Sequence, residues 1–221
     1  MRFCNIEIGN GTPMAIGLSV TDALGPDMAS RRMTEILDRT EGLECFRTIC
    51  VRDDISDPDI FRQTVEAVRR DWSNGIVLES RNPSSLLMAS TVCEDGALLS
   101  GCDHQSLIGI GSMTGFPVVL RCDDISTLLD MVQECGTDCV LDPDAKNMKT
   151  CLERNTDLHR LSTKVPEADH PIMTRAWSGE YAMAMASVSA MRYGSLMMID
   201  DMDREGCMIL DSLSSSFRGH E

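Results

Sequence analysis

The sequence predicts an α/β fold, a TIM-type (β/α)8 barrel, on three observations. Short apolar runs recur along the 221 residues without the alternation of a half-exposed strand. Each must therefore be covered on both faces, as parallel strands in α/β proteins are. Eight such runs alternate with helical segments at a spacing of about 20–30 residues, the rhythm of βα units. Most of the runs end in charged residues, at the position where barrels keep their sites. Because about 200 residues suffice for a compact barrel, one domain is expected. It divides into a lead over 1–13, a barrel over 14–211 and a disordered tail over 212–221.

Gly9, Gly11 and Pro13 punctuate the lead, and Met14-Ala15-Ile16-Gly17-Leu18-Ser19-Val20 reads as the first strand, ending at Thr21 and Asp22. Gly25-Pro26-Asp27 opens a helix through Thr40, with Met28, Met33, Ile36 and Leu37 on one face. The second strand, Phe46 to Val51, runs out into Arg52, Asp53 and Asp54, and Ser56-Asp57-Pro58-Asp59 starts the next helix. Gly75-Ile76-Val77-Leu78 is the third strand, ending in Glu79, Ser80 and Arg81, and Asn82-Pro83-Ser84 opens the helix after it. Gly96 to Ser100 is a weaker fourth strand, followed by a short, glycine-interrupted segment from Asp103 to Met113.

Phe116-Pro117-Val118-Val119-Leu120 is the fifth strand, ending in Arg121, Cys122, Asp123 and Asp124, with Leu128, Leu129, Met131 and Val132 on its helix. Cys139-Val140-Leu141 is the sixth, breaking open at Asp142-Pro143-Asp144 before a helix of about Lys146 to Thr163. His170 to Thr174 is the seventh, followed by an Ala- and Met-rich helix from Glu180 to Arg192. Ser195 to Ile199 is the eighth, ending in Asp200 and Asp201. An open doubly wound sheet is the competing arrangement, but Gly109-Ile110-Gly111 is not the glycine-rich first turn such sheets use to bind phosphate.

Composition excludes several function classes. A net charge of −15 opposes a nucleic-acid backbone as partner, since phosphate binding needs clustered Lys and Arg. No apolar run reaches the about 18 residues of a membrane span, and the N-terminus lacks a signal-peptide core, so a cytoplasmic location is expected. The ten cysteines read as reduced, buried hydrophobes, because no CxxC has a matching second pair. His104, His159 and His170 have no metal-ligand spacing, and no metal site is expected. Sixteen methionines against nine aromatic residues point to an adaptable core, with a Met-rich contact surface as the other reading.

The candidate ligand-binding residues are those that strand ends would bring to one mouth: Asp22, Asp53, Glu79, Arg121, Asp142 and Asp200. Arg52, Asp54, Asp144, Arg175 and Asp201 follow strands in the same way. Acidic pairs at such a mouth serve as general acid and base or bind ligands. The same residues also serve as helix caps in βα loops. No Gly-x-Ser-x-Gly elbow, P-loop or HExxH names a chemistry, and the catalytic residues stay unknown.

The stretches 15–22 (AIGLSVTD), Asp57-Pro58-Asp59-Ile60-Phe61, Phe116 to Leu120, Val140-Leu141-Asp142-Pro143 and Asp157-Leu158-His159-Arg160-Leu161, in that order, resemble the barrel domain of the corrinoid iron–sulfur protein large (gamma) subunit. That family belongs to the CO dehydrogenase/acetyl-CoA synthase system, called acetyl-CoA decarbonylase/synthase in methanogens. The resemblance implies one-carbon metabolism and methanogenesis, in which a methyl group is carried on cobalt between a methyl-tetrahydropterin methyltransferase and acetyl-CoA synthase. It also implies a four-cysteine [4Fe–4S] module before the barrel and a cobalamin module after it. Here 13 residues with one cysteine precede the first strand and a short tail follows the eighth unit, so neither module is expected in the chain. Asp144 stands where the family has glycine after Asp-Pro. Cobalamin is then expected only through a partner, a corrinoid-protein subunit or the acetyl-CoA synthase complex. Two functions follow from the resemblance, a scaffold or interaction subunit in corrinoid-dependent methyl transfer and a barrel methyltransferase that binds a methyl-tetrahydropterin.

Overall fold

The computed structural model describes residues 1–9, 11–176 and 181–217. Two short strands, β1 (Arg2–Phe3) and β2 (Ile6–Glu7), form an antiparallel hairpin. Eight parallel strands follow: β3 (Ala15–Thr21), β4 (Phe46–Arg52), β5 (Gly75–Glu79), β6 (Leu98–Ser100), β7 (Val118–Arg121), β8 (Cys139–Asp142), β9 (Met173–Ala176) and β10 (Leu196–Ile199). Each is followed by a helix: α1 (Pro26–Thr40), α2 (Pro58–Asp71), α3 (Pro83–Ser90), α4 (His104–Thr114), α5 (Ile125–Glu134), α6 (Met148–Ser162), α7 (Ala182–Met191) and α8 (Arg204–Ser216). The sheet order is β8-β7-β6-β5-β4-β3-β10-β9. A single parallel bridge, Leu141 to Ile172, with Leu141 N donating to Pro171 O at 2.9 Å, closes the ring between β8 and β9. The eight-fold barrel expected from the sequence is the fold.

Period-two strands divide the core in two. Ile16, Leu18, Val20, Ile49, Val51, Ile76, Leu78, Leu99, Val118, Leu120, Leu141, Met197 and Ile199 point outward and pack under the helices. Ala15, Cys50, Val77, Leu98, Val119, Val140, Met173, Leu196 and Met198 point inward and fill the barrel. Gly17 belongs to the inward set, because a Cβ there would stand 2.8 Å from the Met198 side chain. The runs read as continuous apolar stretches because both of these cores need them.

The lead is a structural element. Phe3, Ile6 and Ile8 of the hairpin are buried and pack against the inward residues, so the hairpin plugs the amino-terminal end of the barrel. Gly75 makes room for it: a Cβ there would meet Ile6 Cδ1 at 2.6 Å. The expected tail is also partly ordered, since 212–216 complete α8, where Ser214 is buried and its hydroxyl donates to Met14 O at 2.9 Å. The segment after β6 is a full helix, with Asp103 as its N-cap and Gly115 in the left-handed conformation at its end. The seventh strand starts at Met173, later than expected, and Glu180 lies outside the described residues.

Candidate functional site

The inward period carries past the apolar layers to the carboxyl ends of the strands. Two residues after Cys50, Val77, Leu98, Val119, Val140, Met173 and Met198 stand Arg52, Glu79, Ser100, Arg121, Asp142, Arg175 and Asp200. The barrel thus ends in a ring of polar side chains because alternation continues while the apolar residues stop. Arg52, Glu79, Arg121, Arg175 and Asp200 open into a cleft of about 670 Å³ whose rim adds Asp53, Asp54, Arg81, Asp144 and Lys146, while Ser100 and Asp142 are buried.

Arg175 is the centre of this ring. Its guanidinium donates to Glu79 Oε1 at 2.5 Å and to Ser100 Oγ at 2.6 Å, and its Nε lies 2.7 Å from Asp142 Oδ2. Burial alone would pull the guanidinium pKa down, but Asp142 and Glu79 more than offset this and hold it above its ordinary value. Arg121 closes a second side, with Nε donating to Asp142 Oδ2 at 3.1 Å and Nη2 lying 3.7 Å from Glu79 Oε1. Two carboxylates therefore face two guanidinium groups. Across the mouth, Arg52 donates to Asp200 Oδ1 at 2.5 Å, and Ser19 Oγ donates to the same oxygen at 3.2 Å.

The turn after β8 is held by side chains as well as by backbone. Asp142 Oδ1 accepts from Asp144 N at 2.9 Å, and Arg154 of α6 donates to the carbonyls of Pro143 and Asp144 at 2.7 and 3.1 Å. Asp144 has φ +50°, the left-handed conformation that glycine would supply without strain. Its carboxylate then pairs with Lys146 at 2.5 Å.

Asp22 and Asp53 lie off the inward register. Asp22 is fully buried, its Oδ1 accepting from Asp54 N at 2.8 Å and Ile55 N at 3.2 Å, while its Oδ2 has no hydrogen-bond partner. Burial raises its pKa to about 6, and the neighbouring Asp53 carboxyl adds to the rise. Asp53 accepts from Ser80 Oγ at 2.5 Å and Ser56 N at 2.6 Å. Asp22 pins the loop after β4 rather than lining the cleft, whereas Glu79, Arg121 and Asp142 share one network around Arg175 and Asp200 pairs with Arg52 across the mouth. The central Arg175 stands in the sequence only as one more polar residue after a strand, outside the six ligand-binding candidates, and Ser100 is not singled out. Counting two residues on from Met173 and Leu98 would have found both.

The ring holds groups in place by reciprocal charge, and the Cys50 thiol beside Glu79 is buried with its pKa raised well above normal by burial and then by Glu79. An iron–sulfur cluster would need converging thiolates. Among the described residues no three His, Cys, Asp or Glu side chains converge to hold a metal ion, so the donor set does not fit one. No described helix is long and apolar enough to cross a membrane.

A family model described as the CO dehydrogenase/acetyl-CoA synthase delta subunit matches residues 10–217, the barrel with all its strands and helices. The chain belongs to that family. Its resemblance to the corrinoid-protein barrel is thereby upheld at the level of the family, which is part of the acetyl-CoA synthase complex. No curated protein matches the chain. Among solved structures it is similar to Yersinia pestis dihydropteroate synthase with a pterine-sulfa conjugate, at 15% identity, 92% of this chain, 94% of that one and TM-score 0.69. Coxiella burnetii dihydropteroate synthase in complex with pteroic acid matches at 10% identity, 95% and 94% coverage and TM-score 0.69. The 7,8-dihydropteroate synthase of Vibrio fischeri matches at 12% identity, 98% and 100% coverage and TM-score 0.70. At these identities the likeness is one of fold.

Proposed function

We propose that this barrel is a non-catalytic scaffold or interaction subunit in corrinoid-dependent methyl transfer, placed in the cytoplasm and presenting its mouth to a partner subunit that carries cobalamin. The observation that supports it is the self-neutralised mouth. Asp142 and Glu79 already take their charge-assisted hydrogen bonds from Arg175 and Arg121, so neither is poised as a base or as an acceptor for a small ligand. A general base must be free to take a proton. A pre-paired ring is instead a stiff, polar end face, suited to docking without chemistry.

The second reading, a barrel methyltransferase binding a methyl-tetrahydropterin, draws on the cleft of about 670 Å³ at the strand ends and on the pterin-type ligands in the two dihydropteroate synthase structures above. In that reading Asp53, Glu79, Arg121, Asp142 and Asp200 contact the pterin, with Asp22 holding the loop that carries Asp53.

Anaerobic affinity purification from the native host, with a visible absorption spectrum of the eluate, tests the first reading. Corrinoid absorbance with co-eluting acetyl-CoA synthase or corrinoid-protein subunits is expected, together with no heat on titrating tetrahydropterin into the purified chain. A colourless protein eluting alone would overturn it. Pterin binding abolished by Asp142→Asn would establish the second reading in its place.

A further inference from the structure

A further cavity lies at the end of the barrel opposite the mouth, beside the lead and where β3, β9 and β10 begin. Its volume of about 480 Å³ falls within the range of small-molecule sites. Tyr193 marks it. This residue follows α7 at the position where a helix ordinarily ends on glycine, and its φ is +60°, a left-handed conformation that a bulky side chain rarely adopts. α4 ends on Gly115 at φ +74°, so the chain uses glycine where only the turn is needed. Here the turn carries a ring instead. It lies flat on His159, with centroids 3.7 Å apart and planes 9° apart, and both rings border the cavity together with Phe217. Backbone strain of this kind gathers at ligand clamps, where the surrounding structure holds it.

We propose that this cavity binds a small organic cation, an ammonium group attached to an apolar body. Aromatic faces attract cations, and Tyr193 and Phe217 supply them. α6 and α7 end at the cavity wall, and the C-terminus of a helix carries about half a negative charge. The carbonyls of Ser162, Ala190 and Met191, all in the lining, accept no hydrogen bond among the described residues. Asp169 adds a carboxylate to the same wall. Burial pulls the His170 pKa below its ordinary value although Asp169 and Asp138 stand near enough to raise it, so this ring brings no positive charge at neutral pH. Met14, Ile172 and Met191 give the apolar body its surface. Arg192 is the one permanent cation among the described lining residues, and it is exposed. An anion would have Arg192 alone to hold it against the carbonyls and Asp169, whereas a cation is also drawn by the net charge of −15. The proposal is independent of what the mouth binds.

The test is titration of choline and of benzyltrimethylammonium into the purified full chain, read by NMR of methyl-labelled methionine. Salt at about 0.15 M screens attraction to the acidic surface at large. The methyl signals of Met14 and Met191 are expected to shift, while that of Met113, 74% exposed on α4, stays in place. The uncharged isostere of choline, dimethylbutanol with carbon in place of nitrogen, should bind about tenfold more weakly or less still. Tyr193→Gly keeps the left-handed turn and removes the ring, so the circular dichroism of the barrel should persist while affinity falls about tenfold. Tyr193→Phe should retain binding, and Arg192→Gln should tighten it by removing a like charge. Silence at Met14 and Met191 with both cations, equal binding of the isostere, shifts at Met113 to match, or affinity indifferent to Tyr193→Gly would overturn the proposal.

Discussion

At the scale of the residue, Asp22 carries a pH dependence. Its pKa is raised from 3.8 to about 6 by burial and by the Asp53 carboxyl. Between those values the folded chain holds a proton that the unfolded chain has released. Stability attributable to this group therefore falls as pH rises from about 4 to about 6, and stays lost above it. Asp22→Asn keeps the Oδ1 acceptor used by Asp54 N and Ile55 N and leaves no charge to be buried there. Urea unfolding across that window is expected to show a flatter slope for the variant and a higher midpoint than wild type at about pH 8. An unchanged slope would mean that Asp22 ionises freely in the fold. The sequence made the acids of the mouth visible because strand ends announce themselves by a change from apolar to charged. It could not pair them, since Glu79 and Arg175 are 96 residues apart in the chain and meet only through closure of the ring. Nor could it separate Asp22, a loop anchor, from Asp142, a member of the ring, because both simply follow an apolar run.

At the scale of the element, the hairpin and α4 show why boundaries were harder to read than existence. The strands of the hairpin are two residues each, too short for any period to register, and their burial depends wholly on the barrel floor they fill. Phe3 and Ile6 are 3% and 4% exposed, so truncation leaves a cavity that the inward core cannot collapse into. Ile6→Ala is expected to lower stability by about 2–4 kcal/mol and Phe3→Ala by about 3–5 kcal/mol, measured by urea denaturation with the barrel signal followed by far-UV circular dichroism. A loss below about 0.5 kcal/mol for both would show that the hairpin is loosely held. Of the two glycines that obscured α4, Gly111 has a packing reason. A Cβ on Gly111 would stand 2.7 Å from Val118 Cγ1, so the helix needs glycine to lie close on β7. The serine-rich end of α8 reads as a tail, but Ser214 is buried with its hydroxyl on Met14 O, where a larger side chain would not fit as well.

At the scale of the whole molecule, 35 acidic residues outnumber 20 basic ones, and the excess is borne mostly on the surface. The Arg175–Asp142 pair at the centre of the mouth is shielded from solvent, its side chains 6% and 3% exposed, and salt reaches it weakly. The exposed helix pairs, such as Lys149 with Glu153 at 81% and 55%, are worth only a few tenths of a kcal/mol each. Screening therefore acts chiefly on the net repulsion, which opposes the compact state. Raising ionic strength from about 0.01 M to about 0.15 M shortens the screening length from about 30 Å to about 8 Å, and the Tm is expected to rise by several degrees. Salt also favours association of two chains of the same sign, which stabilises by mass action and so depends on protein concentration. Melting at two protein concentrations separates the contributions. The concentration-independent rise belongs to the single barrel, and the remainder to association between chains. A Tm that falls with salt would mean that exposed ion pairs outweigh the repulsion, and that the acidic excess is dispersed too widely over the surface to strain the fold.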